Sequence, residues 1–410
     1  MIGYLAEWAA LLLRWLHLVA GVAWIGASFY FLWLDNHLQP PADKDRADPA
    51  VGGELWAVHG GGFYRSQKYR VAPAVLPPTL HWFYWEAYTT WLSGMALLIL
   101  LYFTRAEAYL IDPAVAPLTK PLAITLAAAA IIASWLVYDA LCRSPLGRRP
   151  RALAAVLAVL TGTLAWGLCQ WFSGRGAYMI FGAALGSIMV ANVLFVIIPG
   201  QRELVHAKQQ GRAVDPAPGL RGRQRSVHNT YFTLPVLFVM ISNHYAMTYG
   251  ARYNWLVLIA ISFAGACLRA WFVARHRPAE HRGYAAALPA VMGVLTLAGL
   301  AAALAPAVRV STGPDIGATA AAGAPAVDRA RVTAIVERRC VPCHAASPTQ
   351  AGFAAPPNGI VLQTIDQLRA HLPEVRQQLA ARAMPLGNLT GMTDEERATL
   401  LMWIGHGAGR

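Results

Sequence analysis

Apolar stretches close to the length of a membrane-crossing helix recur through this chain, at 8–34, 82–104, 121–141, 152–172, 177–198, 230–249, 253–274 and 284–306. A bilayer core needs about 20 apolar residues of helix, and only helices or closed barrels satisfy their own backbone polar groups inside it. The expected fold class is therefore all-α: a polytopic membrane helical bundle of about eight transmembrane helices. Composition agrees, with 56% of residues hydrophobic and 13% charged, against about 25% charged in soluble domains. The first stretch is not read as a cleavable signal, because no basic region precedes it and its apolar run is too long.

The net charge of +13 does not point to nucleic acid, since the basic residues are scattered between the apolar runs. The partner they imply is the lipid bilayer. Lys44, Arg46, Arg65, Lys68 and Arg70 follow the first run, and Arg143, Arg148, Arg149 and Arg151 the third. Arg202, Lys208, Arg212, Arg221, Arg223 and Arg225 follow the fifth, and Arg275, Arg277 and Arg282 the seventh. The alternate loops hold little more than Arg105, Lys120, Arg175 and Arg252. Positive loops stay cytoplasmic. The expectation is a multi-pass protein of the bacterial inner membrane, with the N-terminus and the C-terminal tail both periplasmic.

The tail carries chemistry of its own. Cys340-Val-Pro-Cys343-His344 is the C-x-x-C-H pattern of covalent haem c attachment. The two cysteines would form the thioethers and His344 the proximal iron ligand. Segments 328–344 and 393–407 read as two helices, the second opened by a Thr393/Glu396 capping box. Met/His ligation is usual in cytochromes c. Met384, followed by Pro385, is a better sixth ligand than Met392, while Met402 lies inside the helix and reads as core. The expected layout is a transmembrane domain over 1–306, an Ala/Gly/Pro-rich flexible linker over 307–327, and a small all-α c-type cytochrome domain over 328–410. Cys142, Cys169 and Cys267 lie singly in or beside apolar runs and read as packing residues.

Ionisable residues inside a membrane are costly and are functional candidates by default. Arg14, Gly21, Ser28 and Asp35 recur every seven residues on the first span, with His17 and Trp24 beside them, which defines an inward face. By depth, Asp35, His81, Glu86, Asp139, Asn192, His228, Asn229 and Arg269 group at the cytoplasmic level. Arg14, His17, Gln170, Asn243 and His244 group at the periplasmic one. An inner and an outer polar pocket follow. The plainer alternatives are helix-packing amides for Asn192 and a structural ion pair for Glu86 with Arg269. His17 and His244, at similar depth on different helices, form a candidate bis-histidine site for a haem b, unless the match in depth is coincidence.

The segments "LHLVAGVAWIGASFYF", "HGGGFYRSQKYRVAP", "LHWFYWEAYTTWLSG" and "VHNTYFTLPVLFVMISNHY" resemble the bacterial membrane-bound urate oxidases (urate hydroxylases). That family is similar in layout, a membrane part followed by a cytochrome c domain. The resemblance implies oxidation of urate to 5-hydroxyisourate in purine catabolism, with electrons leaving through haem c toward a periplasmic cytochrome c or a terminal oxidase. Urate is a planar anion ringed by acceptors and N–H donors. Arg269 or Lys68 would hold its charge, Asn192 or Asn229 its edge, and Trp82 or Trp85 its face. His81, Glu86 or His228 would take its proton. The loop His59–Arg70 reads either as a glycine-rich anion site or as a flexible turn. No nucleotide-binding G-x-G-x-x-G after a strand is present. Two other classes compete: a b- and c-haem electron-transfer module between quinol and a terminal oxidase, and a transporter or copper-handling protein with a redox sensor.

Overall fold

The computed structural model describes residues 2–41, 48–275, 287–304, 328–350, 353 and 355–405. The chain opens with a 36-residue helix, α1 (Ile2–His37), followed by an antiparallel hairpin of β1 (Val51–His59) and β2 (Gly62–Tyr69). Helices α2 (Trp85–Leu97), α3 (Ala106–Tyr109), α4 (Lys120–Arg143), α5 (Pro150–Trp171), α6 (Gly174–Asn192), α7 (Ile198–Gln209) and α8 (Ala217–Ser242) come next. Then follow α9 (Ala246–Tyr249), α10 (Asn254–Ala274) and α11 (Leu288–Leu304). The tail contributes α12 (Arg329–Arg339), α13 (Val341–His344), α14 (Ile365–Ala370), α15 (Leu372–Ala380) and α16 (Asp394–Gly405).

The helix boundaries have local causes. Prolines occupy the first turns of α4 and α5, where a missing N–H costs nothing. Ser173 caps α6 by accepting the Gly176 N–H at 3.0 Å. Between α6 and α7 the helix widens into a π turn, Val193–Ile197. Pro199 explains it: its ring would collide with the carbonyl four residues back in a regular helix, and the wider turn removes that clash.

Among the described residues, six helices are long and apolar enough to cross a membrane, with α6 and α7 counted as one. Eight were expected. The first half of α8 carries three arginines and a histidine, and the described part of α11 has only 17 residues. In α6 and α7 67% of the apolar window is buried, against 17–33% in the other five. Tyr178, Ile180, Phe181 and Leu185 of α6 form the centre of the body, and Gly182 lets Val239 of α8 press against its backbone. The remaining helices turn large apolar side chains outward, such as Trp15, Leu18 and Val22 of α1. An apolar helix exposed in this way is compatible with a multi-pass membrane protein.

The all-α expectation needs one correction. The glycine-rich stretch after α1 is neither an open anion loop nor a slack turn. Gly60 and Gly61, both at positive φ, make the two-residue connection of an ordered hairpin. Paired Glu54 and Arg65 brace its base at 2.5 Å.

The tail has a separate core of Val332, Ile335, Val336, Leu368, Leu400 and Trp403. Helices α12 and α16 are clasped by Arg339, which donates to Glu396 at 2.9 and 3.1 Å and also to the Thr390 carbonyl. The Thr393/Glu396 capping box forms as expected. Met402 does not join the core: it is 51% exposed, whereas Met392 is 4% exposed and packed inside. Leu400 and Trp403 take the inner face of α16, and residue 402 points about 100° away from Trp403 and about 160° away from Leu400.

The tail rests on the end of the bundle that bears α3 and α9. Gly387, at positive φ, sits against the carbonyls of Glu107, Ala108 and Ile111, and Gly250 leaves no room for a Cβ beneath the Ala381 carbonyl. The hairpin and the turn Pro145–Arg148 lie at the opposite end.

Burial acts to raise the Glu396 carboxyl, but the bonds from Arg339 and the Thr393 amide outweigh it and hold the group below its ordinary range. A depressed carboxylate stabilises the fold above its unfolded value, and that contribution is lost as pH falls through the folded value. Thermal unfolding of the full chain should therefore weaken below the ordinary carboxylate range, and Glu396→Gln should flatten that dependence. An unchanged pH profile in the variant would contradict this.

Candidate functional site

Helix α8 divides two clefts. Its polar first half presents Arg223, Ser226, Val227, Thr230 and Thr233 at three- and four-residue spacing to one side. It presents Pro218, Arg221, Gln224 and Arg225 to the other. One amphipathic segment thus supplies a wall to each.

The first cleft, of about 810 Å³, is closed by Ser28 and Asp35 of α1, Lys68 of β2, His81, Trp82 and Glu86 around the start of α2, and Gln201 and Lys208 of α7. Small-molecule sites typically fall within roughly 300–1,000 Å³. Lys68 and Asp35 pair at 2.6 Å across its rim. His81 stands edge-on to Phe83, and Phe83 to Phe31, which gives an aromatic wall beside Trp82. Glu86 forms no ion pair, and neither Lys208 nor Arg223 meets a carboxylate, among the described residues.

Behind Asn229, which also lines the cleft, runs a buried polar chain. Asn229 donates to the Met189 carbonyl at 2.9 Å and accepts from Asn192 at 2.8 Å. Asn192 also donates to the Tyr138 hydroxyl at 3.0 Å, and that hydroxyl lies 2.8 Å from His228 Nδ1. The Tyr138 hydroxyl and His228 Nδ1 share one hydrogen bond, whose direction follows the imidazole tautomer. Arg225 lies over the Tyr138 ring at 4.9 Å and donates to Asp139 at 2.7 Å. Asn192 Oδ1 is buried without a donor among the described residues.

The sequence grouping by depth is met in part. His81, Glu86, Lys68 and Asn229 converge on the cleft; Asn192 and His228 belong to the chain behind it. Arg269 does not join them. Its guanidinium lies 3.7 Å from the Phe29 ring centre, so the suggested Glu86–Arg269 pair is absent. Trp85 is 63% exposed and does not line the cleft, whereas Trp82 does. His17 is turned to α2: Nδ1 donates to the Thr90 carbonyl at 2.9 Å and its ring packs on Gly94. His244 is exposed in the turn after α8, and no described contact joins it to His17. Arg14 is exposed as well. Sequence reasoning missed Gln201, Lys208 and Arg223 as lining groups. The signal lay in the three-residue and four-residue spacing from Arg223 to Thr233, hidden by reading those arginines only as topology charges.

In the tail, His344 Nδ1 donates to the Ile360 carbonyl at 2.9 Å, which leaves Nε2 as the ring's free ligand nitrogen. Cys340 and Cys343 are free thiols just before it in sequence, and burial pushes Cys340 up to about 12. Met384 is half-buried, and its carbonyl accepts from Arg397 at 2.7 Å. Arg397 is 8% exposed, and its Nε has no partner among the described residues. Burial also lowers its pKa.

A family model described as "Urate oxidase N-terminal" matches residues 3–302, nearly the whole bundle. The chain belongs to the urate oxidase N-terminal family. No curated protein and no solved structure matches it. Membership points to urate-related chemistry and to an oxidoreductase. Both clefts, the hairpin and the buried polar chain lie inside the matched urate oxidase region, and the tail lies outside it.

Proposed function

We propose that this protein is a membrane-bound urate oxidase, converting urate to 5-hydroxyisourate in purine catabolism and passing the electrons to a haem c in its tail. The observation that carries the reading is the first cleft, which sets Lys208, Arg223, Glu86, His81 and Asn229 around an aromatic wall inside the region matched to the family. The domain division is 1–306 for oxidation, 307–327 for the linker and 328–410 for the cytochrome. The protein lies in the bacterial inner membrane with the tail in the periplasm.

The chemistry assigns roles. Arg223 and Lys208 hold the urate anion, since Lys68 is already paired with Asp35. Trp82 stacks on the purine face, and Asn229 meets its edge. Glu86, unpaired and at the cleft wall, takes the proton, with His81 as its neighbour. Overall, urate and one water give 5-hydroxyisourate, two protons and two electrons; the ring is oxidised and the water oxygen becomes the new hydroxyl.

The tail fits a haem c by its donor set. Cys340 and Cys343 would carry the thioethers, and His344 Nε2 and Met384 sulfur the iron, while the buried, unpaired Arg397 Nε would meet a propionate. Such a group takes electrons one at a time and passes them to a periplasmic cytochrome c or a terminal oxidase. A haem b between His17 and His244 fits poorly: one ring is packed on Gly94 and the other is exposed in a turn.

One observation favours a second reading, an electron-transfer module without its own organic substrate. The cleft and the tail lie at opposite ends of a bundle whose α4 alone has 24 residues, or about 36 Å at 1.5 Å per residue. Titration of membranes with urate while the haem c absorption is followed separates the two. Reduction by urate supports the oxidase, and reduction by quinol alone supports the module. Glu86→Gln should slow urate-dependent reduction by about a hundred-fold without changing haem content; an unaltered rate would remove Glu86 from the reaction.

A further inference from the structure

The second cleft, of about 810 Å³, is lined by Arg143, Arg148, Arg221 and Arg225, with Glu203 as its one carboxylate. Acidic neighbours account for only two of the four arginines. Asp139 takes Arg225 at 2.7 Å and Arg143 at 2.6 Å, and Glu203 is engaged by Arg212 at 3.2 Å. Arg148 and Arg221 meet no carboxylate among the described residues. Arg225 has a side chain 4% exposed and lies over the Tyr138 ring, and its second terminal nitrogen has no hydrogen-bond acceptor among the described residues. A buried guanidinium N–H left unpaired is costly unless something accepts from it.

The frame around these groups is built. Ser144 caps the Pro145–Arg148 turn, and Gln224 of α8 donates to the Gly147 carbonyl at 2.7 Å, tying the turn to the helix that carries Arg221 and Arg225. On the bundle side the wall is apolar, formed by Phe195 and Val196 of the π turn and by Pro199. Phe195 is 57% exposed.

We propose that this cleft is a binding site for a phosphate group, distinct from the oxidation site and independent of what that site oxidises. Guanidinium forks match tetrahedral oxyanions with paired, charge-assisted bonds. A phosphate offers mainly acceptor oxygens to such a donor-rich lining, whereas a purine brings N–H groups that need acceptors. Two sources share the chemistry. Free phosphate would use the arginines alone, whereas an anionic phospholipid would also run its chains along Phe195 and Val196, as basic pockets between membrane helices do.

Thermal unfolding of the purified, delipidated full chain in detergent, with inorganic phosphate against chloride at equal ionic strength, tests the site. A parallel series uses nanodiscs of neutral lipid with and without phosphatidylglycerol. The wild type should be stabilised saturably. Arg148→Ala with Arg221→Ala should weaken the response roughly ten-fold or more, and the paired lysine variants less, because they keep charge but lose the fork. Arg149→Ala with Arg151→Ala, at the start of α5 beside that turn but outside the cleft, should respond as wild type. Stabilisation only by phosphatidylglycerol, with that lipid lost from the double alanine variant in native mass spectrometry, assigns the lipid. Stabilisation by inorganic phosphate with unchanged lipid content assigns the free ion. No response beyond chloride, or an equal response in both alanine pairs, overturns the proposal.

Discussion

Changing Cys340 and Cys343 together to alanine is expected to leave a chain with no covalently bound haem and no urate-dependent reduction of an external acceptor, while the membrane body stays folded. The body keeps its stability because its core, built around Tyr178, Phe181 and Leu185, shares no residue with the tail core around Val332, Leu368 and Trp403. On the proposed assignment the loss should be complete, because thioethers would be what retain a haem that His344 and Met384 would ligate only reversibly. A single Cys343→Ala variant should hold haem by one bond, with a shifted absorption band. The measurements are a pyridine haemochrome count per chain, haem staining of the denatured protein and the rate of acceptor reduction with urate. Wild-type turnover in the double variant would mean that electrons leave the body by another route, and the role given to the tail would fall.

How much of this was legible beforehand depends on the kind of information each feature carries. The long apolar helices α4, α5 and α10 begin and end within two residues of their apolar stretches, because hydropathy and flanking prolines or charges are local signals. The hairpin was not legible. Three glycines in succession read as slack, and only the pairing of Val51–His59 with Gly62–Tyr69 shows that two of them form a turn. Residue counting along a helix assigns a level, but it does not give the direction around the helix axis. Glu86 and Arg269 were assigned one level, yet Arg269 is turned to Phe29 while Glu86 faces the cleft. The start of α8 failed for a related reason. Its arginines lowered the hydropathy that marks a span, although the same arginines, read by helical period, divide between the two clefts.

That division makes Arg225 the residue whose loss should cost the body most. Its side chain is buried to 4% exposure, bridging Asp139 on α4 to the polar chain behind the cleft. Arg225→Ala would remove a buried cation, empty the space over the Tyr138 ring and leave Asp139 with only the exposed Arg143 as partner. Breaking a buried ion pair from one side costs about 3–5 kcal/mol, and the retained Arg143 contact argues for the lower end. A variant that replaces both members, Arg225→Met with Asp139→Leu, should recover much of that loss, since an apolar pair of similar volume avoids burying an unpaired charge. Thermal or denaturant unfolding in one detergent should rank the wild type first, the double variant close behind and Arg225→Ala last. If Arg225→Ala unfolds with the wild type, the guanidinium contributes little, and the packing of α8 on α4 rests on Phe232 against Tyr138 instead.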